Sequence, residues 1–173
     1  MTDRAPAPGG LALIEALVNT LLDITTGEDA LERAEVRRSF GITRADLDDV
    51  RELRESLRAT CLAHAGHPPH REVTPLGDLL TRAPLTVAID AEDGSAELVL
   101  PDSTDSTDSA PLTSKVALAI AQAEAAGTWA RLKACEAEDC HWAYYDRSPA
   151  GRGRWCDMSV CGARAKMRRY RAK

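Results

Sequence analysis

Four of the five cysteines lie near the C-terminus in two pairs whose spacing suits a metal ion. Four residues separate Cys135 from Cys140, four separate Cys156 from Cys161, and fifteen lie between the pairs. Each pair can supply two thiolates from a tight turn, and the intervening chain can bring the second pair back to the first. The pattern predicts one structural Zn²⁺ with four sulfur ligands. Such a site has no open coordination position for water, which argues against hydrolytic catalysis.

Two other chemistries suit four cysteines. Disulfides are a weaker interpretation because nothing in the sequence indicates export, and a reducing cytosol keeps thiols free. Four thiolates can also hold an iron–sulfur cluster, but the surrounding basic and aromatic residues fit a structural module better than a redox site.

The fifth cysteine, Cys61, lies at regular spacing from His64, His67 and His70. This could be taken for a second metal motif. However, Pro68-Pro69 interrupts the helix that would align these side chains, and Cys61 falls on the apolar face of a predicted helix. We interpret Cys61 as a core thiol and not as a ligand.

The chain around the cysteines predicts a hairpin and a basic helix. His141–Asp146 has strand-like alternation and Pro149–Gly153 is a glycine-containing turn, so a hairpin is expected between the cysteine pairs. Ser159 is the expected cap of a last helix whose apolar stripe should pack on that hairpin. The stripe contains Val160, Ala163, Met167 and Tyr170.

Basic residues occupy the turn and the other faces of this helix, an arrangement suited to DNA phosphates. The candidate DNA-binding residues are Arg152, Arg154, Arg164, Lys166, Arg168, Arg169 and Arg171. A simpler interpretation is a solubilising tail, or a face that docks onto an acidic part of the same chain.

Charge divides the chain into two parts. Residues 1–128 contain 11 Lys and Arg against 22 Asp and Glu, a net charge of −11, whereas residues 129–173 contain 11 against 5, a net charge of +6. Six of the seven aromatic residues also lie after position 128. Two parts of such different composition are expected to have different roles.

The elements that must position the cysteines are mostly helical. Apolar spacing predicts helices over about 10–23, 28–39, 43–66, 75–82 and 113–127, with a β-hairpin at about 85–100 and an acidic loop at 101–111. The predicted fold class is therefore α+β, mainly α with a β-hairpin: a helical N-terminal domain, 1–127, and a small four-cysteine module, 128–173.

The C-terminal residues resemble the CGNR zinc finger, a module of bacterial proteins. The resemblance rests on the four cysteines together with Trp142, Asp146-Arg147-Ser148, Arg154-Trp155, Met158, Gly162-Ala163-Arg164, Lys166 and Arg169-Tyr170. One departure is Ala163, where the family signature has Asn. The N-terminal part, with Val18-Asn19-Thr20 in its first helix, is loosely similar to the ABATE-type domain.

This resemblance implies a zinc-dependent, stress-related transcription regulator whose finger binds DNA and whose N-terminal domain senses an unknown small-molecule effector or oligomerises. A short site and a single finger favour a homodimer. The alternative is a zinc-stapled protein-interaction module without DNA binding. We expect a cytoplasmic bacterial protein with no membrane segment and no enzymatic activity, because neither a phosphate loop nor a nucleophile–base pair is evident.

Overall fold

The computed structural model describes residues 5–101 and 110–172. Its helices are α1 (Leu11–Val18), α2 (Ala34–Ser39), α3 (Leu47–His64), α4 (Leu76–Leu80), α5 (Leu112–Ala125) and α6 (Ala163–Arg171). Its strands are β1 (Leu21–Asp23), β2 (Glu28–Asp29), β3 (Thr86–Ile89), β4 (Ala96–Val99), β5 (Leu132–Ala134) and β6 (Ala143–Tyr145). The strands form three antiparallel pairs, β1–β2, β3–β4 and β5–β6, and the α+β prediction is confirmed.

Helix α1 is shorter than predicted. Leu11, Ile14, Leu17 and Val18 bury the expected apolar face, but the helix ends at Val18 instead of continuing to about Asp23. The Thr20 hydroxyl donates to the Leu17 carbonyl at 2.7 Å, and β1 then pairs with β2. The predicted helix over 28–39 is likewise divided into β2, a 3₁₀ turn at Ala30–Glu32 and α2.

Helix α3 is the longest and follows the predicted pattern. Leu47, Val50, Leu53, Leu57 and Cys61 are buried along one face, which confirms Cys61 as a core thiol. The helix begins a few residues after Thr43, whose backbone N–H donates to the Asp46 carboxylate at 2.7 Å. It ends just before Gly66, whose φ of +80° suits glycine.

The middle of the chain contains the predicted β3–β4 hairpin, with Thr86 opposite Val99 and Ile89 opposite Ala96. Helix α4 is shorter than expected, with Pro75 preceding its first residue. Most of the predicted acidic loop, residues 102–109, lies outside the described residues.

The main core is formed by α1, α3 and α5 together with the β5–β6 hairpin. Leu132, Ala134 and Ala143 from this hairpin belong to the same buried cluster as Leu57 of α3 and Ile14 of α1. A second cluster contains the cysteines with Ala137 and Tyr144. The start of the predicted C-terminal module therefore shares the core of the N-terminal helices. Within the described ranges, every helix is too short or too polar to cross a membrane.

Candidate metal centre

The four paired cysteines converge at one point, with all four sulfur atoms within 4.8 Å of one another. The Sγ atom of Cys156 lies 3.6 Å from that of Cys140 and 3.7 Å from that of Cys161. Zinc–sulfur bonds of about 2.3 Å place tetrahedral ligands about 3.8 Å apart. The donor atoms therefore fit a single Zn²⁺ without an open ligand position.

The first cysteine pair lies in the connection between β5 and β6. Cys135 directly follows β5, and its backbone N–H donates to the Trp142 carbonyl at 2.9 Å. Cys140 closes the turn by donating from its backbone N–H to the Ala137 carbonyl. Strand β6 occupies the predicted segment, but the expected hairpin between the cysteine pairs is wrong, because its other strand precedes Cys135. This arrangement lets the buried core fix one end of the centre.

The second cysteine pair surrounds the start of the last helix. The Asp157 carboxylate accepts hydrogen bonds from the backbone N–H groups of Ser159, at 2.7 Å, and Val160, at 3.1 Å. Asp157 is therefore the cap, and the prediction that Ser159 has this role is wrong. A single π turn, Met158–Gly162, leads into α6. Gly162 fits closely, since an added Cβ would lie 3.2 Å from the Trp155 ring.

The crowded thiols influence each other's ionisation. Hydrogen bonding from Cys140 and Cys156 lowers the pKa of Cys135, whereas hydrogen bonding to Cys135 raises the pKa of Cys140 to about 12 and that of Cys156 further. Four adjacent thiolates repel one another, so they can all ionise together only beside a compensating cation. This chemistry matches a divalent soft-ligand site.

Arg164 provides positive charge at the edge of the centre. Its Nη2 lies 3.2 Å from the Cys161 Sγ, and its Nη1 forms an ion pair with Asp139 at 2.8 Å. The contact with Cys161 raises the pKa of Arg164. The guanidinium thus bridges the two cysteine turns and opposes the negative charge of the thiolates.

A buried ion pair shapes the turn that follows β6. The Lys133 Nζ lies 3.1 Å from the Asp146 carboxylate and also donates to the Gly151 carbonyl. Burial opposes ionisation of Asp146, but hydrogen bonds from Ser148 and the Gly153 N–H hold its pKa well below its usual range. Sequence reasoning did not find this pair, although Asp146 was part of the resemblance.

Two side chains from the N-terminal helices hold the metal-binding hairpin. The Asn19 side chain donates to the Ala143 carbonyl at 3.0 Å and accepts from the Ala143 N–H at 2.8 Å. Arg58 donates to the carbonyls of His141, at 2.7 Å, and Val18, at 2.8 Å. His141 directly follows Cys140 and has a φ of +48°, the only positive value among the described non-glycine residues. We call these two sets of hydrogen bonds the Asn19 and Arg58 clamps. Neither was predicted, because their contacts with the hairpin join residues 124 and 83 positions apart.

The structure gives two of the predicted DNA-binding residues partners within the finger. Arg154 forms an ion pair with Glu136 and lies over the Trp155 ring, and Arg164 contacts Asp139 and Cys161. The others are exposed and form no ion pair within the described ranges. They are Arg152, Lys166, Arg168, Arg169 and Arg171.

The apolar stripe of α6 does not pack on the hairpin as predicted. Val160 and Met167 are each 52% exposed, Tyr170 is 78% exposed, and Ala163 is also exposed. Helix α6 has no buried residue. The prediction fails because Trp142 and Trp155 pack against the second core cluster, and no residue of α6 belongs to that cluster in the described chain.

The fold and the cysteine cluster define a zinc-finger module attached to a helical unit, with one structural zinc site at Cys135, Cys140, Cys156 and Cys161. Residues 131–173 match the family model of the CGNR zinc finger. A search of curated proteins found no match to the chain.

Proposed function

We propose that this chain is a DNA-binding transcription regulator in which α6 contacts the duplex. The observation that carries the proposal is the basic, uncovered helix held at one end by the cysteine centre. Its nine residues contain five basic side chains and no acid, and none of them is buried. An α-helix with its side chains is about 10–12 Å across and therefore fits a DNA major groove, which is about 12 Å wide.

The proposed contact face contains Arg164, Arg168 and Arg171, which share one side of α6 by their spacing of four and three. Arg168 and Arg171 are free of ion pairs in the described chain, whereas Arg164 also serves the metal centre. Arg152 and Arg154 on the preceding turn extend the basic surface. Lys166 lies two residues from Arg164, and Arg169 two residues from Arg171, a step that turns a helix by about 200°, so both lie on the far side of α6 from this face.

Zinc supplies folding energy to this module and takes no part in a reaction. The protein's own residues position the helix: Asp157 caps its start, while Lys133 and Asp146 fix the turn that carries Arg152. We propose a cytoplasmic, non-enzymatic role for a bacterial protein. Its N-terminal ABATE-like domain would sense a small-molecule effector or oligomerise.

The test is binding of the zinc-loaded full chain to duplex DNA across a salt series. Each phosphate contact contributes about one unit to the slope of log K against log salt, so R168A and R171A should each reduce the slope by about one. The matched control is R82A, because Arg82 is also exposed but lies far away in the sequence, after α4. Absence of binding at low salt, or an equal effect of R82A, would reject α6 as the DNA surface.

The exposed apolar stripe of α6 favours a second candidate function, a protein-interaction module without DNA binding. Met167 and Tyr170 are large, apolar and uncovered, and such patches mark protein contacts more often than phosphate contacts. This candidate predicts that the zinc-loaded chain does not bind duplex DNA even at the lowest salt concentration of the same series. DNA binding that R168A weakens and M167S/Y170S leaves intact would reject it.

A further inference from the structure

Two apolar surfaces on the described chain have no intramolecular cover. The first, the hairpin face, consists of Val87, Ile89 and Leu98 on β3–β4, which are 59%, 63% and 38% exposed. The second, the helix face, consists of Ala163, Met167 and Tyr170 on α6. Both are exposed in the same chain, so neither covers the other within one molecule.

The hairpin face follows from the strand register. Val87 is opposite Leu98 and Ile89 is opposite Ala96, so these four side chains project from one side of the ribbon. On the other side, Ala88 and Val99 are partly buried. A two-stranded ribbon is marginally stable alone and gains stability when a helix covers its apolar side.

The two faces carry opposite charges at their borders. The turn at the end of the hairpin contains Asp90, Glu92 and Asp93, and residues 83–100 include no lysine or arginine. Hydrogen bonds from neighbouring backbone N–H groups lower the pKa values of Asp90 and Asp93. The helix face is bordered by Lys166 and Arg169, both exposed. The acidic border of the hairpin face is therefore complementary to the basic border of the helix face.

The two faces also match in length. Helix α6 has nine residues and extends about 14 Å, while each hairpin strand has four residues and extends about 13 Å. Ala163, Met167 and Tyr170 recur at spacings of four and three along one side of the helix, which lets all of them contact one flat ribbon.

We propose that two copies of this chain form a closed dimer in which the hairpin face of each copy packs against the helix face of the other. A two-fold axis makes both contacts equal, so neither apolar surface is left uncovered and the assembly does not extend further. Arg164, Arg168 and Arg171 lie on the adjacent side of α6 and stay accessible. The proposed dimer therefore does not depend on the proposed DNA binding, and each can be tested separately.

The first experiment measures the mass of the zinc-loaded full chain by sedimentation equilibrium over a wide concentration range. Wild type should be a dimer at high concentration. The double variants V87S/I89S and M167S/Y170S should each be monomeric. An equimolar mixture of the two should again form dimers, weaker than wild type, because one intact hairpin face and one intact helix face remain to pair.

Two controls separate this contact from general effects. L22S removes a similarly exposed apolar side chain on β1 and should leave the dimer unchanged, as should R168A, which alters the DNA face. Since the substituted side chains are exposed, thermal unfolding of V87S/I89S and of M167S/Y170S should resemble that of a dissociated wild-type sample. The controls also separate the two proposals: loss of DNA binding by R168A with a retained dimer would concern only the DNA surface.

A charge test uses Glu92 and Arg169, which form no ion pair within the described ranges. E92R and R169E should each weaken the dimer several-fold at low salt, and mixing the two variants should recover part of the loss. Wild type that is monomeric at every concentration, or a dimer that survives either double variant, would overturn the proposal. Failure of the mixed variants to associate would do the same.

Discussion

Arg164 illustrates how one side chain can serve the metal centre from outside the ligand set. A zinc ion with four thiolates has a formal charge of −2, and the Arg164 guanidinium lies 3.2 Å from the Cys161 sulfur while pairing with Asp139. The positive guanidinium thus lies beside two negative groups, the Cys161 thiolate and the Asp139 carboxylate. Among the three arginines of the proposed DNA face on α6, Arg164 alone forms an ion pair within the described residues.

We expect R164A to lower zinc affinity about tenfold to a hundredfold, the usual effect of losing a side chain that supports metal ligands. Competition with a chromophoric chelator would measure this change. R168A is the matched control, since Arg168 is exposed on the same helix and forms no ion pair in the described chain. Equal zinc affinities for R164A and R168A would show that the contact with Cys161 has no energetic effect on the centre.

Glu55 is a buried acid surrounded by basic side chains on the interior of α3. Its carboxylate lies 2.8 Å from Arg54, 3.0 Å from Arg58 and 2.9 Å from His70. Burial opposes its ionisation, but hydrogen bonding from His70 and the charges of Arg58 and Arg54 hold its pKa well below its usual range. Arg58 in turn contacts the metal-binding hairpin, so Glu55 lies behind one of the two clamps.

Because the pKa of Glu55 is lowered on folding, the free energy of unfolding depends on pH. The unfolded chain binds the proton of Glu55 near pH 4.3, above the folded pKa, so this stabilisation is present above that pH and is lost as the pH falls below it. E55Q should cost about 3 kcal/mol at neutral pH and should flatten the acid slope, because buried Arg58 loses its only ion pair in the described chain, whereas Arg54 keeps Asp29 at 2.8 Å. Urea unfolding of both proteins from neutral to acid pH measures the difference. An unchanged slope in E55Q would assign the acid sensitivity to other groups, such as the cysteine thiolates.

At the scale of elements, sequence reasoning succeeded where one periodicity decided the outcome. Helix α3 and the β3–β4 hairpin appear as predicted, since the first has a continuous apolar face and the second has alternating strands around Gly94. The spacing of the four cysteines also predicted the metal centre, for a different reason. The chemistry of four sulfur ligands is local and independent of the rest of the fold.

The failures involve elements whose pairing partner is distant. The alternating aromatic residues predicted strand β6. Its partner β5 was missed because β5 has only three residues and is buried against α3, which is distant in the sequence. The end of α1 was misplaced because Asn19 and Thr20 use their side chains for Ala143 and the Leu17 carbonyl. The α6 stripe has helical periodicity in the sequence, and periodicity alone does not indicate whether a partner is present.

Asn19, which follows α1, binds β6 through the same kind of hydrogen bonds that a neighbouring strand would form. Its amide forms reciprocal hydrogen bonds with the backbone N–H and carbonyl of Ala143, so the residue that follows α1 satisfies the open edge of β6. N19A leaves both backbone groups without a partner next to a fully buried residue, and we expect a loss of about 1–3 kcal/mol. N19D, which keeps an acceptor but loses the donor, should fall between wild type and N19A. Chemical unfolding measures the three proteins, and equal stabilities would mean that water replaces the amide at no cost.

At the scale of the whole molecule, the finger and the helical unit share a core. The charge asymmetry of the sequence suggested two separate parts, and from composition alone the N-terminal helices should survive metal removal. The packing leads to a different expectation. Leu132, Ala134 and Ala143 are fully buried against the helices, and the clamps from Asn19 and Arg58 join the same hairpin.

We therefore expect zinc removal to destabilise the entire chain. A strong chelator should lower the melting temperature followed by the helical circular dichroism signal, because β5 and β6 lose the cysteine centre that ties their connection together. C156S, which removes one buried ligand, should reproduce the shift without chelator, whereas C61S should show only the smaller effect of a polar hydroxyl in the core, with no change in zinc content. A chelated protein whose helical signal melts at the zinc-loaded temperature would demonstrate that the finger folds as an independent unit. The expected result, one transition that moves with zinc occupancy, would mean that loss of the metal unfolds the proposed DNA-binding helix α6 and the helical unit together.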